Sequence, residues 1–234
     1  MARCQFFITG TDTEVGKTFV TSAMLAKLSG EGLRTLGLKP VAAGAESRAG
    51  ETNNEGRYNE DALSLMAYAS VKIPYAQVNP VLLSEPIAPH IAARSEGRSL
   101  SVSRLVGFCR GTLMTPHDVA FVEGAGGWLV PLNATETLAD LAQALAMPVI
   151  LVVGMRLGCI NHALLTVASI QRQGLRLAGW IANASGPAPM REYDANLETL
   201  VARIPAPLLG NLPWGAGPED PQVRTALTLS PLFS

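Results

Sequence analysis

The first chemically suggestive stretch is Thr9 to Thr18, TGTDTEVGKT, which ends in Gly16-Lys17-Thr18. A Gly-containing turn between a strand and a helix turns backbone N–H groups toward a bound phosphate. In such a loop the lysine, here Lys17, reaches the outer phosphates, and the following hydroxyl, here Thr18, binds magnesium. The spacing is unusual. Five residues separate Gly10 from Gly16 where four are usual, and two of them, Asp12 and Glu14, are acidic. Taken alone, the stretch also fits an ordinary strand-turn-helix.

Three further positions carry potential chemistry. In AFVEGAGG, an apolar run ends at Glu123, and Gly124, Ala125 and Gly126 follow, where the backbone can come close to a ligand. One carboxylate at a strand end is what the magnesium side of a phosphate-loop protein presents, although Glu replaces the commoner Asp. In GLKPVAAG, Lys39 falls at the expected end of the second strand, on the ligand side of an open sheet, and Pro40 is expected to block further regular pairing. A lone lysine there also reads as a surface residue. Asp61, in NEDAL, by itself reads as the acid of a helix N-terminus.

The elements that must position these residues alternate. Strands are expected at Gln5 to Thr9, Thr35 to Lys39, Val119 to Val122, Val149 to Val153, Leu177 to Ala182 and Pro207 to Asn211. Helices are expected at Lys17 to Ser29, Asp61 to Ala69, Val102 to Thr112, Leu138 to Leu145, Ile160 to Gln173 and Arg191 to Ile204. Runs such as Val149-Ile150-Leu151-Val152-Val153 are apolar on both faces and suit the middle of a parallel sheet. The alternation predicts a doubly wound, mostly parallel α/β fold flanked by helices, with residues 1–234 forming one domain. The polar segment Ala45 to Asn59 reads as a mobile insertion close to the ligand edge.

Composition narrows the function classes. Hydrophobic residues are 48% and charged residues 16%, a globular balance, and the net charge of -1 gives no reason to expect nucleic acid or an anionic membrane as partner. Cys4, Cys109 and Cys159 form no Cys-x-x-Cys pair, which fits reduced thiols better than disulfides or a zinc site. The N-terminus lacks the pattern of a signal peptide, and the apolar runs are too short to span a bilayer. The expectation is a soluble, cytoplasmic protein.

Together, TGTDTEVGKT, KPVAAG, VEGAGGW, PVILVVG followed by LGCINHALLT, LAGWIAN and PAPLLGNLPW run in order along nearly the whole chain and resemble the dethiobiotin synthetase family. The resemblance implies a fold like that of phosphate-loop NTPases with a lengthened loop. It also implies a reaction in which diaminopelargonic acid, carbon dioxide and ATP give dethiobiotin, ADP and phosphate, through a carbamate and a carbamic-phosphoric anhydride. The cofactors implied are ATP and Mg2+. Asp12 and Glu14 are then expected to turn from the phosphate toward metal-bound water, an amine or a neighbouring cation.

By resemblance, Lys17 and Lys39 are the active-site lysines, and Thr18, Asp61 and Glu123 are the magnesium ligands. Glu14, Val15, Gly16, Lys17, Thr18, Phe19, Gly124, Ala125 and Gly126 line the nucleotide site. Asn183 resembles the adenine-reading residue, with Ala184 beside it. Pro213, Trp214 and Gly215 form the other wall, and Glu219 is a weaker match near the ribose. Thr13, Ala43, Gly124 and Ala125 resemble substrate contacts. The segment Leu157 to Asn161, with Gly158, Cys159 and Asn161, is implied to reach the partner's site across a homodimer and hold the substrate carboxylate on backbone amides. Cys159 then positions rather than attacks, and His162 and His90 pack or cap.

The chain departs from the family in places. Ala43 stands where many members have Ser or Thr, a loss of about 0.5–1.5 kcal/mol if one hydrogen bond is missing. The insertion from Ala45 to Asn59 is long, and the tail after Pro221 matches little. Two alternatives remain at this point. A phosphate-loop switch ATPase usually carries a second lysine early in the loop, and TGTDTE has none. A nucleotide-binding protein without synthetase activity would bind ATP and make no product.

Overall fold

The structure is a computed structural model and describes residues 3–47 and 56–233. A six-stranded parallel sheet forms the centre: β1 (Cys4–Gly10), β2 (Thr35–Leu38), β7 (Val119–Gly127), β8 (Val149–Met155), β9 (Leu177–Ala184) and β10 (Leu208–Leu212), in the order β10-β9-β8-β1-β7-β2. The chain leaves β1 for the β2 edge, returns to β7 beside β1, and then crosses to β8 on the other side. The connections therefore diverge around β1, and the crevice at the carboxyl ends of β1 and its neighbours is where such a sheet binds ligands.

Helices cover both faces because the strands are apolar on both. Phe6, Ile8, Phe121, Ile150, Val152 and Ile181 pack on one side against Val20, Ala23 and Met24 of α1 (Lys17–Gly30), Leu65 of α2 (Glu60–Tyr68) and Val223 of α9 (Pro221–Ala226). On the other side, Phe7, Leu38, Val122 and Val149 meet α5 (Val102–Thr112) and α6 (Leu138–Leu145). Leu151, Val153 and Trp180 meet α7 (Cys159–Arg172) and α8 (Tyr193–Arg203) on that same side. Helices α5 and α6 have the bounds their sequence predicts, and both have local start signals. Ser101 accepts the Arg104 N–H, and Thr137 and Asp140 form a capping box.

Two expectations need correction. The strand ending in Glu123 does not stop at Val122; β7 continues to Gly127, so Glu123 sits within a strand. Pairing with β1 runs to Glu123 and shifts register before Gly10 meets Gly127. Pro40 does end the pairing of β2, because it has no N–H to donate. Yet extended structure resumes at once as β3 (Val41–Ala43), which pairs in parallel with β6 (Val81–Leu83) in a separate small sheet. The chain between them also forms a short antiparallel pair, β4 (Glu46–Ser47) with β5 (Arg57–Tyr58), and α3 (Tyr75–Val78); α4 (Pro89–Ser95) follows β6. Residues 48–55 of the expected insertion lie outside the described residues. Among the described residues, no helix is long and apolar enough to cross a membrane.

Gly37 sets how closely α1 and α2 approach β2. A Cβ there would lie 3.0 Å from Leu25 Cδ1 and 3.0 Å from Leu65 Cβ. Gly37→Val is expected to force these helices outward and lower unfolding stability by about 1–3 kcal/mol. Denaturant unfolding monitored by circular dichroism would read this as a lower midpoint with the slope kept.

Candidate active site

The loop between β1 and α1 is shaped by two left-handed residues, Glu14 (φ 59°) and Gly16 (φ 84°). Gly16 precedes α1 without any side-chain cap, so the first N–H groups of the helix stay available to an anion. Asp12 turns out of the loop, as expected. One carboxylate oxygen accepts the Thr13 N–H at 2.8 Å, and the other pairs with Arg156, which follows β8. Glu14 is exposed and lines the mouth of the site. Lys17 is buried and folds back to donate to the Asp12 carbonyl at 3.2 Å. Burial and repulsion from Lys39 pull its ammonium down to about 8 against the opposing attraction of Glu123, Asp61 and Asp12. A polyanion bound in the loop would supply further countercharge.

Beside the loop lies a compact charge cluster. Lys39 Nζ is 2.7 Å from Glu123 Oε1 and 2.6 Å from Asp61 Oδ2. The side chains of Lys39 and Glu123 are 4% and 0% exposed, whereas that of Asp61 is 42% exposed. Burial alone would lower the Lys39 pKa, but the attraction of Glu123 and Asp61 outweighs it and holds the ammonium above its ordinary value. Burial likewise pushes Asp61 up, and Lys39 more than reverses this, leaving the carboxyl below its ordinary value. The Thr18 hydroxyl donates to Glu123 Oε1 at 2.7 Å, and Glu123 Oε2 is buried without a hydrogen-bond partner.

A cavity of about 600 Å³ joins Lys17, Thr18, Lys39 and Asp61, while Glu123 is wholly buried and outside its lining. Thr13, Glu14, Gly16, Lys17, Thr18, Lys39, Ala43, Asp61, Ala125 and Gly126 line it, so predicted residues from four separate chain segments converge. Pro86, Ile87, Ala88 and Val130 add an apolar wall that no motif in the sequence singles out. Gly124 borders the cluster through its carbonyl, 3.4 Å from Lys39 Nζ. Val15 and Phe19 instead pack toward the core under the loop.

Asn183, at the end of β9, donates to the Val15 carbonyl at 2.9 Å, while its own Oδ1 is buried without a partner. Next to it, a second cavity of about 400 Å³ is lined by Met155, Ala184, Tyr193, Pro213 and the 56%-exposed Trp214. Gly215 follows in a left-handed turn, and Glu219 is exposed and outside the lining. The structure does not bring Gly158, Cys159 or Asn161 to either cavity of their own chain. Gly158 (φ 96°) precedes the uncapped start of α7, Cys159 is buried with its thiol pKa raised by burial, and Asn161 and His162 are exposed.

Gly16 is the tightest point between the phosphate loop and β9. A Cβ there would fall 2.2 Å from Asn183 Nδ2 in a backbone conformation that L side chains rarely adopt. Gly16→Ala is expected to weaken nucleotide binding by about tenfold or more, since left-handed strain alone costs about 1–2 kcal/mol. Calorimetric titration with a non-hydrolysable ATP analogue measures it.

Comparison with known proteins agrees with this geometry. Residues 4–222 match the AAA_26 family, described as an AAA domain. The chain is 53% identical over 233 residues to the ATP-dependent dethiobiotin synthetase BioD of Cellvibrio japonicus, covering 100% of this chain and 99% of that one. It is 51% identical to the protein of that name from Aromatoleum aromaticum (96% of each chain) and 46% identical to BioD 1 of Salmonella typhi (97% of each). Among solved structures, signal recognition particle receptor FtsY from Elizabethkingia anophelis in complex with GDP aligns with a TM-score of 0.56 at 12% identity, over 100% of this chain and 65% of that one. Chloroplast FtsY from Physcomitrella patens aligns with 0.51 at 17%, over 100% and 66%. The match to FtsY is one of fold, that of phosphate-loop NTPases. With relatives this similar over their full length, the chain belongs to the ATP-dependent dethiobiotin synthetase family.

Proposed function

We propose that this protein uses ATP to carboxylate diaminopelargonic acid and close the ureido ring of dethiobiotin. The observation that carries the reading is the buried Lys39 ammonium between Glu123 and Asp61, in one cavity with the phosphate loop and Ala43. The reaction gathers negative charge at a carbamate and a transferring phosphoryl group. Catalysis of such a step is mainly positioning and electrostatic stabilisation. Lys17 reaches the outer phosphates from inside the loop. Lys39, whose counterions already hold it protonated, stabilises the charge that develops between carbamate and phosphate.

Thr18, Asp61 and Glu123 would hold Mg2+, which would neutralise charge between the outer phosphates. The residues fit the ion: two carboxylates and a hydroxyl are hard donors, and the orphaned Glu123 Oε2 is a ready acceptor site. Among the described residues no cluster of three His, Cys, Asp or Glu side chains is arranged for a metal, which suits an ion that takes its remaining oxygens from phosphate and water.

Asn183 and the Pro213–Gly215 turn would hold adenine. The free Asn183 Oδ1 can accept from an exocyclic amine, and Trp214 offers an exposed ring face. Thr13, Ala43, Gly124 and Ala125 would contact the diamine, and the apolar wall from Pro86 to Ala88 suits its alkyl chain.

A homodimer would complete the site. Leu157, just before the uncapped N-terminus of α7, and Leu165, in the middle of that helix, are 92% and 63% exposed, as befits a surface that a second copy covers. Gly158, Cys159 and Asn161 would then present backbone amides to the substrate carboxylate in the partner's cavity.

Purified protein supplied with ATP, magnesium, bicarbonate and diaminopelargonic acid is expected to form dethiobiotin and ADP in equal amounts. Mass spectrometry would follow the first and a coupled assay the second. Lys39→Ala is expected to lower the rate by about 100-fold or more. ADP release without dethiobiotin, or release indifferent to the diamine, would reduce the protein to an ATPase.

A further inference from the structure

Lys39 and Asp61 come from different parts of the chain, and 21 positions lie between them, including residues 48–55 outside the described set. Besides their ion pair of 2.6 Å inside the cavity, a chain of hydrogen bonds outside it connects them. Behind it, Lys39 is fixed by its backbone on both sides. Its N–H donates to the Val78 carbonyl at 2.9 Å, and its carbonyl accepts from Asn79 Nδ2 at 2.7 Å. Asn79 is 3% exposed, and its Oδ1 accepts the Tyr75 hydroxyl at 2.9 Å. That same hydroxyl oxygen accepts the backbone N–H of Asn59 at 2.8 Å. Asn59 caps α2, its Oδ1 accepting the Ala62 N–H at 3.4 Å, and its Nδ2 donates to the Gly44 carbonyl at 3.1 Å. Asp61 is in the first turn of the helix so capped.

We propose that Tyr75 is a positioning residue whose hydroxyl, through Asn79 on one side and Asn59 on the other, sets the distance between Lys39 and Asp61. The inference rests on the reading of Lys39 and Asp61 as working groups of the site. Tyr75 touches neither of them and does not line the cavity. Its hydroxyl joins Asn79, which holds the Lys39 carbonyl, to Asn59, which caps the helix that carries Asp61, beside the direct bond from Asn59 Nδ2 to the Gly44 carbonyl. Asn59 also ties the exit of the insertion back to Gly44 at its entry. Removing the hydroxyl leaves Asn79 Oδ1 and the Asn59 N–H without their partner and frees α2 to shift while the ring still packs edge-on against Tyr58, centroids 5.0 Å apart.

Tyr75→Phe tests this in the full-length enzyme. The expected result is a fall of about tenfold in kcat with KM for ATP within twofold, because a misplacement of about an ångström at a reacting group costs that much or more. Hydrogen exchange is an independent readout: amides at the start of α2 are expected to exchange faster, while those of the β1–α1 loop stay as in the wild type. Tyr75→Trp, which keeps a ring but not the hydroxyl, is expected to lose at least as much rate. A merely structural tyrosine would lower the melting temperature and leave kcat per folded molecule and the α2 exchange pattern unchanged; that outcome overturns the proposal. If the wild type itself makes no dethiobiotin, the proposed function fails, and the exchange comparison still decides whether Tyr75 holds α2.

Discussion

The arrangement of the site depends on a lysine buried between two carboxylates. Lys39 cannot be buried as a bare cation, because a desolvated ammonium without a partner loses its proton or unfolds its surroundings. Glu123, wholly buried, faces the same constraint with the opposite sign. Each makes the other tolerable, and Asp61 adds a second, half-exposed counterion. Loss of one partner of such a pair costs about 3–5 kcal/mol, mostly by stranding the survivor. The pair therefore ties the end of β2 to β7 at the point where the sheet opens, and the proposed chemistry and the stability of the fold share the same three residues.

That constraint also explains the state of the phosphate loop. With two lysines close together, Lys17 has less countercharge than it needs, and its ammonium is held less firmly protonated than that of Lys39. The loop closes on itself through the Asp12 carbonyl. The carboxylates that looked out of place in a phosphate loop do not face the phosphate position together. Asp12 points outward to Arg156 from the adjoining strand end, an exposed pair of modest worth. Glu14 takes up a left-handed conformation at the cavity mouth.

Where the sequence was informative, the information was local. Gly16-Lys17-Thr18 could be read because a strand, a turn and a helix start follow one another within a few residues, and the bounds of α5 and α6 were legible in the sequence, where the structure adds local caps at Ser101 and Thr137. Asp61 could not be read from its neighbours, which describe only a helix N-terminus. Its pairing with Lys39 exists only once β2 and α2 are packed. The short strands β3 and β6 were equally hidden, since three residues carry too little periodicity to stand out, and Pro40 suggested a break where the chain only changes sheets. Tyr75 and Asn79 had no signal at all, because their role comes from hydrogen bonds to distant backbone.

The most direct test of the account is a crystal structure of the protein with a non-hydrolysable ATP analogue, magnesium and diaminopelargonic acid. The account predicts phosphates in the loop from Gly10 to Thr18, the ion on Thr18, Asp61 and Glu123, adenine beside Asn183 and Trp214, and the Lys39 ammonium moved off Asp61 toward the terminal phosphate and the diamine. A nucleotide seated elsewhere, or Lys39 still locked on both carboxylates with no ion beside them, would contradict it.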